Sequence, residues 1–555
     1  MSGAGGILNL IAEGNNNVFL TGNPTKTFFK TTYAKHTNFG LQKFRIDYDG
    51  LRTLRLTEPS TFRFKFPRNA ELLMDTYVVI TLPDIWSPIY HPCDETSNTW
   101  SSYDFKWIQD IGLQMITDIE LTCGSATIQK YSGAYLSAMI QRDFSAVKKE
   151  LYNKMSGNVV ELNDPANAYG RVNSYPSAYY TTNPNGAEPS IRGRTLYIPI
   201  NTWFTLNSNC AFPLISLQYN ELYLNITIRP IQELFQLRDV FDNANNHPYI
   251  QPDFNQQQFQ MYRFLQTPPN VIIDPTNYEN TISNWNADIH LVSTYCFLSK
   301  EEAKKFALEN QTYLIKDVFT YLYENVAGSN KVQLLSNGMI SNWMFYFQRN
   351  DANLRNEWNN YTNFPYGNLP GNIEQAPQVD VNSPFFNVNQ QHLGPLININ
   401  GDNTGYFITG DINTDNVKDI LQTLGIVFDG SYRENTQPRG IYDYLEKYTR
   451  TPGSAVEGIY CYNFCLDTSP FKYQPSGAIN LNKFRTIEFE FTTYLPQIDT
   501  NANAINYICD ASGNPIGVYK QNYRLFNYDF NLTIFEERYN VLSFVSGNAG
   551  LLYAR

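Results

Sequence analysis

Thr61-Phe62-Arg63-Phe64-Lys65-Phe66 alternates polar and aromatic residues, and ten residues later Thr76-Tyr77-Val78-Val79-Ile80-Thr81-Leu82 runs unbroken until Pro83 stops it. The first string sets Phe62, Phe64 and Phe66 on one face of a pleat, a strand with its other side in water. The second, rich in β-branched residues, reads as a strand covered on both faces. Further strands are expected at Met115–Thr122, Thr195–Ile200, Leu222–Ile228, Asp288–Leu298, Ser341–Arg349, Gly458–Leu466, Thr486–Leu495 and Arg524–Phe535.

Composition agrees with that reading. Of 555 residues 42% are hydrophobic and only 17% charged, which excludes wholesale disorder. Aromatics at 15% together with 63 asparagines favour strands and turns over helices. The length suits three or four domains of roughly 150 residues, or two large β-units of roughly 200–250, and by itself allows both. Many short strands, aromatic cores and long loops point to an all-β protein of jelly-roll sandwiches with short helices in the loops.

Two helices stand out. Tyr135, Met139, Ile140, Phe144, Val147 and Leu151 recur at helical spacing over Tyr135–Met155, with Gly157 as the stop. Ser299-Lys300-Glu301-Glu302 reads as a capping box opening a short helix through Asn310. Strand entry followed by helix occurs at Asp118-Ile119-Glu120-Leu121 and again at Asp288, 170 residues on, which suggests one architecture used twice. The organisation expected is an N-terminal arm over 1–38, a first β-unit over 39–231, an Asn-, Gln- and Pro-rich connection over 232–285, and a second β-unit over 286–555. The second unit carries a turn-rich insertion at 355–455, a length that usually serves as a contact surface.

The net charge of −11 argues against a surface built wholly for phosphate. Residues 1–70 nevertheless hold ten basic and four acidic side chains, a local +6 that leaves −17 for the rest, and sequence-specific nucleic-acid binding is not expected. Seven dispersed cysteines predict free thiols in a reducing compartment; Cys461 and Cys465 share a strand face but are spaced too widely for a disulfide. No export signal and no membrane-spanning run is read from the chain. The five histidines form no metal-ligand spacing, and no Walker loop or G-x-S-x-G occurs. Glu488 and Glu490 share a strand face roughly 7 Å apart, within reach of glycosidase geometry, yet alternate with Phe489 and Phe491 as a solvated strand over a core does. No catalytic residue, cofactor or metal site is therefore expected.

Several strings go beyond pattern. Gly5-Gly6-Ile7-Leu8-Asn9-Leu10-Ile11-Ala12-Glu13-Gly14, Leu20-Thr21-Gly22-Asn23-Pro24, Thr27-Phe28-Phe29-Lys30 and His36-Thr37-Asn38-Phe39 resemble the N-terminal segment of major capsid proteins of nucleocytoplasmic large DNA viruses. The resemblance continues through Phe212–Glu221, Tyr295–Leu314, Gln474–Asn480 and Tyr539–Leu542. Ser341–Arg349 and Leu354-Arg355-Asn356-Glu357-Trp358 look most like the giant-virus and algal-virus branch. It implies a double jelly roll of two tandem eight-stranded sandwiches and three subunits per pseudo-hexagonal capsomer. Capsomers of this kind tile an icosahedral shell over an internal membrane, assembled in the host cytoplasm with minor capsid, cement and penton proteins. On that reading the arm, with Lys26, Lys30, Lys35 and His36, faces inward near an anionic lipid surface, His36 serving as a hydrogen-bonding residue. The insertions at 155–195 and 355–455 would form outer towers. Of four Asn-x-Ser/Thr sites, Asn360 is the candidate for sugar attachment. The competing readings are a minor or penton-associated relative and a carbohydrate-binding β-sandwich protein.

Overall fold

The computed structural model describes residues 5–90, 101–171, 174–178, 186–240, 249–269, 277–364, 394–397, 403–408, 418–472, 474–495, 506–509, 515–519 and 528–553. The first unit is built from β1 (Phe39–Asp47), β2 (Ser60–Lys65), β3 (Leu72–Leu82), β4 (Ile116–Cys123), β5 (Ala126–Tyr131), β6 (Arg194–Pro199), β7 (Leu222–Ile228) and β8 (His290–Leu298). One sheet runs β1-β8-β3-β6 and the other β2-β7-β4-β5, all antiparallel. The second unit follows with β9 (Gln311–Val326), β10 (Ser329–Gln333), β11 (Met339–Arg349), β12 (Leu421–Phe428), β13 (Ser431–Pro438), β14 (Ile459–Asn463), β15 (Ile487–Thr493) and β16 (Phe530–Val545). Its sheets are β9-β16-β11-β14 and β10-β15-β12-β13. Numbered within its own unit, each sandwich reads 1-8-3-6 over 2-7-4-5. That is the jelly-roll order, used twice.

This topology corrects the expected boundary at 285/286. Strand β8 is the eighth strand of the first unit, in register from Phe39 opposite Leu298 to Asp47 opposite His290. A jelly roll ends by laying its last strand beside its first, a pairing across some 250 residues that no local pattern announces. The step from Asp118 to Asp288 therefore compares a fourth strand with the approach to an eighth. The duplication lies in strand order and not in that spacing. Residues 232–285 likewise join the first unit: Phe235–Arg238 pairs with Phe105–Trp107, and Phe259, Met261 and Phe264 are buried in the first core. The insertion at 355–455 is shorter than expected, because β12 and β13 are strands of the second sandwich; most of 365–417 lies outside the described residues.

The helix expected over Tyr135–Met155 is two helices, α1 (Gly133–Asp143) and α2 (Ala146–Ser156). Phe144 is extended, and the Ser145 hydroxyl accepts from the Lys148 N–H to start the second helix. The break rotates the stripe, so Tyr135, Met139, Ile140 and Phe144 are buried while Val147 and Leu151 face solvent. Gly157, at φ 80°, ends α2 in the left-handed conformation that favours glycine. Further along the chain, α3 (Lys300–Leu308) begins after Ser299 without a side-chain cap and links the two units.

In β2 the burial alternates as the sequence does. In β11 it is almost continuous, because sheet β9-β16-β11-β14 is covered on both faces. Trp343, Phe345 and Phe347 point into the second core with Phe489, Phe491, Leu532 and Ile534. Met344, Tyr346, Phe535 and Cys461 point the other way, into the core of the first unit. Residues 5–38, including the helical turns Gly5–Ile11 and Val18–Thr21, bury nothing against the rest of the chain.

Candidate functional site: the joint between the two sandwiches

The two units meet where α1 lies on the outer face of sheet β9-β16-β11-β14. Local sequence fixes α1 there. Its N-cap Ser132 accepts from the Tyr135 N–H, and at Gly133 a Cβ would sit 2.0 Å from the Leu113 carbonyl oxygen and 2.4 Å from that of Ile116. Only glycine permits so close an approach to the end of β4. Tyr135 then meets Phe535 edge-on at 5.5 Å, and Phe144 meets Phe471 at 5.2 Å.

Between these aromatics is a buried charge network. Arg142, 1% exposed, donates from Nε and Nη2 to the two carboxylate oxygens of Asp143 at 2.9 and 2.7 Å, from Nη1 to Asn342 Oδ1 at 2.8 Å and from Nη2 to Glu537 Oε1 at 2.6 Å. Glu537 also accepts from the Tyr135 hydroxyl at 3.0 Å, from Asn342 Nδ2 at 2.9 Å and from Lys316 Nζ at 3.3 Å. Thr468 donates to Asp143 at 2.6 Å. Two cations and two anions thus share one site, contributed by α1 from the first unit and β9, β11 and β16 from the second. Burial alone would raise the Glu537 carboxyl, but Arg142 and Lys316 outweigh it and hold it at about 2. Asp143 has no second cation; burial pushes its carboxyl up, and Arg142 and the Thr468 hydroxyl offset this only in part.

Two further straps cross the joint. At Gly453, whose N–H donates to the Arg142 carbonyl at 3.0 Å, a Cβ would lie 2.4 Å from that oxygen. Following β11, Asn356 Nδ2 donates to the carbonyls of Gln232 and Phe235, each at 2.8 Å, Trp358 Nε1 donates to the Glu233 carbonyl at 3.0 Å, and the Arg229 guanidinium lies 3.8 Å above the Trp358 ring. Such an assembly holds two wedges at one angle.

Residues 27–266 match the family described as major capsid protein N-terminus, and residues 302–550 the family described as large eukaryotic DNA virus major capsid protein. The chain belongs to the major capsid proteins of large eukaryotic DNA viruses. It is 25% identical to the major capsid protein of Phaeocystis pouchetii virus over 99% of this chain and 100% of that one. Against the major capsid protein of Paramecium bursaria Chlorella virus 1 the identity is 24%, again over 99% and 100%. A chain of the PBCV-1 virus capsid superposes with TM-score 0.58 at 18% identity, covering 95% of this chain and 100% of that one. The Faustovirus major capsid protein gives 0.57 at 12%, covering 95% and 94%. At those identities the likeness concerns the fold, a double jelly roll. As a major capsid protein the chain is a structural component of the virion, built with neighbouring capsid units into the icosahedral shell.

In this capsid protein the residues singled out from sequence lie away from the joint. Lys26, Lys30, Lys35 and His36 are exposed on the arm; Lys26 Nζ sits 5.4 Å from the Phe28 ring centre, and His36 Nδ1 is 2.8 Å from the Thr37 carbonyl. Asn360 is 4% exposed, and Nδ2, the atom a glycan would occupy, donates to the Phe364 carbonyl at 2.7 Å. The folded chain does not present it for sugar attachment, because its amide serves as a turn fastener, with Oδ1 accepting from Thr362. Cys461 and Cys465 are buried free thiols, with Cys465 just beyond β14, and burial pushes Cys461 up to about 12. Glu488 pairs with Lys331 at 2.8 Å and Glu490 accepts from the Tyr432 hydroxyl at 2.6 Å, as strand carboxylates facing water do. Among the described residues no group of three or more His, Cys, Asp or Glu could hold a metal ion, and no helix is long and apolar enough to cross a membrane.

The residues that make the joint were not legible as a site. One signal for them exists: Glu536-Glu537-Arg538 puts three charges in the middle of β16, where its neighbours Ile534 and Phe535 are fully buried. A charge run inside a covered strand demands partners.

Proposed function

We propose that three copies of the chain form one capsomer, each contributing two jelly-roll wedges, so that six similar wedges close a pseudo-hexagonal block. The observation that carries this is the rigid joint: two sandwiches of one topology, fastened by a buried network that leaves no freedom of angle. Three chains of two wedges give true threefold symmetry with a near-sixfold outline, which tiles flat facets. On the same reading the arm with Lys26, Lys30, Lys35 and His36 lies at the inner side of the capsomer. Its exposed Phe19, Phe28, Phe29 and Tyr33 find cover there against neighbouring capsomers, minor capsid, cement or penton proteins, or the internal membrane, and assembly takes place in the host cytoplasm. Light scattering on the purified chain should give a species near three times 63.8 kDa that resists dilution, with hexagonal outlines in electron micrographs. A chain that stays single at high concentration refutes it.

A further inference from the structure

The chain contains one contact of a kind that its own duplication calls for twice. In each unit the connection between the fifth and sixth strands is helical: α1 and α2 in the first, the helical segment 441–450 in the second. The connection of the first unit covers the outer face of sheet β9-β16-β11-β14, and there Met344, Phe535, Glu537 and Cys461 are at most 1% exposed. The corresponding sheet of the first unit, β1-β8-β3-β6, has the same strand order and the same outer face. Register identifies that face: Arg45 lies opposite Val292, Val292 opposite Tyr77, and Val79 opposite Tyr197, while Val78, Ile80, Leu196 and Ile198 point into the core. Among the described residues it is covered only in part: Phe306 of α3 packs on Leu72 and Cys296 at one end and Val79 is 2% exposed, while the margins along β1 and β6 stay open. Leu41 is 54% and Tyr197 47% exposed, with Lys43 and Arg45 also in solvent.

The other half of the missing contact is equally open. Segment 441–450 rests on its own sandwich through Tyr442, whose hydroxyl donates to the Leu424 carbonyl at 2.8 Å, and through the buried pair Asp443 and Lys447 at 2.6 Å. It turns Tyr444, Leu445 and Tyr448 outward, the last 90% exposed. Beside the open sheet, α2 presents Val147 and Leu151 along β6 in the same way.

We infer that segment 441–450 of one copy docks on the outer face of sheet β1-β8-β3-β6 of the next, with Tyr448 and Leu445 against Tyr197, Tyr77 and the exposed side of α2. The contact repeats between chains what α1 makes with β16 inside one chain. It joins two different patches, so it is head-to-tail, and with two wedges per chain it closes after three copies. Aromatic residues at its centre match the residue type that anchors such interfaces. This inference rests on the trimeric reading and adds the surface that makes it.

Tyr448→Asp and Tyr197→Asp place a carboxylate at either side of the contact, on side chains exposed enough that the sandwiches keep their fold. Each is expected to weaken self-association at least tenfold per contact, so at concentrations where the parent is trimeric both variants run at the mass of one chain while their circular dichroism and melting temperature as single chains match the parent's. Tyr432→Asp on edge strand β13, 52% exposed and outside the contact, is expected to remain trimeric. If both Tyr448→Asp and Tyr197→Asp stay trimeric, the interface is elsewhere and this inference fails while the trimer stands. If the parent itself is a single chain, the trimeric reading fails first.

Discussion

Replacing Arg142 by methionine isolates what the joint contributes. Methionine keeps most of the aliphatic stem, so the change is chiefly electrostatic. The guanidinium makes two bonds to Asp143, one to Asn342 and one to Glu537. Without it Glu537 keeps only Lys316 as a cation, at 3.3 Å, and Asp143 keeps only the Thr468 hydroxyl. Removing one partner from a buried pair costs about 3–5 kcal/mol, because the remaining charge has lost both water and counterion. For a unit of this size that corresponds to a fall in melting temperature of roughly 10 °C. The sign of the pH response follows. In Arg142→Met the folded-state carboxyls rise above their unfolded values, so stability drops as pH increases, and acidification from pH 7 to 5 should recover part of the loss in the variant only. Calorimetric scans of parent and variant across that range are the assay. A variant melting within about 2 °C of the parent at pH 7, or showing the parent's pH response, would refute the claim that this network holds the joint.

Asp110, 2% exposed, accepts from Ser137 on α1 at 2.6 Å and Tyr152 on α2 at 2.9 Å, and burial without a cation pushes its carboxyl up to about 6. A raised acid costs stability above its folded value, so Asp110→Asn, which keeps one hydrogen bond through Oδ1 and needs the other reversed with Nδ2 donating to the hydroxyl oxygen, should gain up to about 3 kcal/mol at pH 8 and nothing at pH 4 in denaturant titrations. Asp351 behaves oppositely: burial would raise it, but Arg349 at 2.7 Å and Arg355 at 2.9 Å hold it at about 2. Its contribution of about 2 kcal/mol is present above pH 4 and lost as pH falls towards 2, and Asp351→Asn should flatten that acid limb of the unfolding curve. Gly453→Ala would set its Cβ 2.4 Å from the Arg142 carbonyl oxygen and 2.7 Å from that of Phe144; a loss of about 1–3 kcal/mol is expected by thermal melting.

Alternation at Thr61–Phe66, the covered run at Thr76–Leu82 and the turn residues around them are local properties, and each strand read from them overlaps one that formed, most with ends shifted by a few residues, whereas the one expected at Arg524–Phe535 runs over Phe530–Val545, its expected first residues lying outside the described ones. What local pattern could not reveal was partnership. Asp288–Leu298 reads as a strand whichever sandwich owns it, and only its register with Phe39–Asp47 assigns it. The stripe through Tyr135–Leu151 keeps helical spacing across a break at Phe144, because spacing is blind to one extended residue. The joint was hidden for the same reason. Arg142, Lys316, Asn342 and Glu537 are as far as 395 residues apart, and each alone resembles an ordinary surface residue.

Why charge holds this joint can be argued from what a shell demands of its parts. An apolar interface is satisfied by many small shifts of register, since dispersion and water exclusion depend weakly on direction. A guanidinium with four hydrogen bonds to three partners on two units is satisfied by one arrangement, and any slip strands a buried charge. Replacing Arg142, Asp143, Lys316 and Glu537 together by apolar residues of similar volume should therefore separate stability from geometry. The quadruple variant is expected to melt within a few degrees of the parent, or above it, since buried ion networks are often matched by well-packed hydrophobic ones. Its capsomers should vary more in outline, and its arrays should lose long-range order. Electron diffraction from two-dimensional arrays reads that order directly. Arrays as well ordered as the parent's, from a variant as stable as the parent, would show that apolar packing alone sets the angle and that the charges at the joint are incidental to assembly.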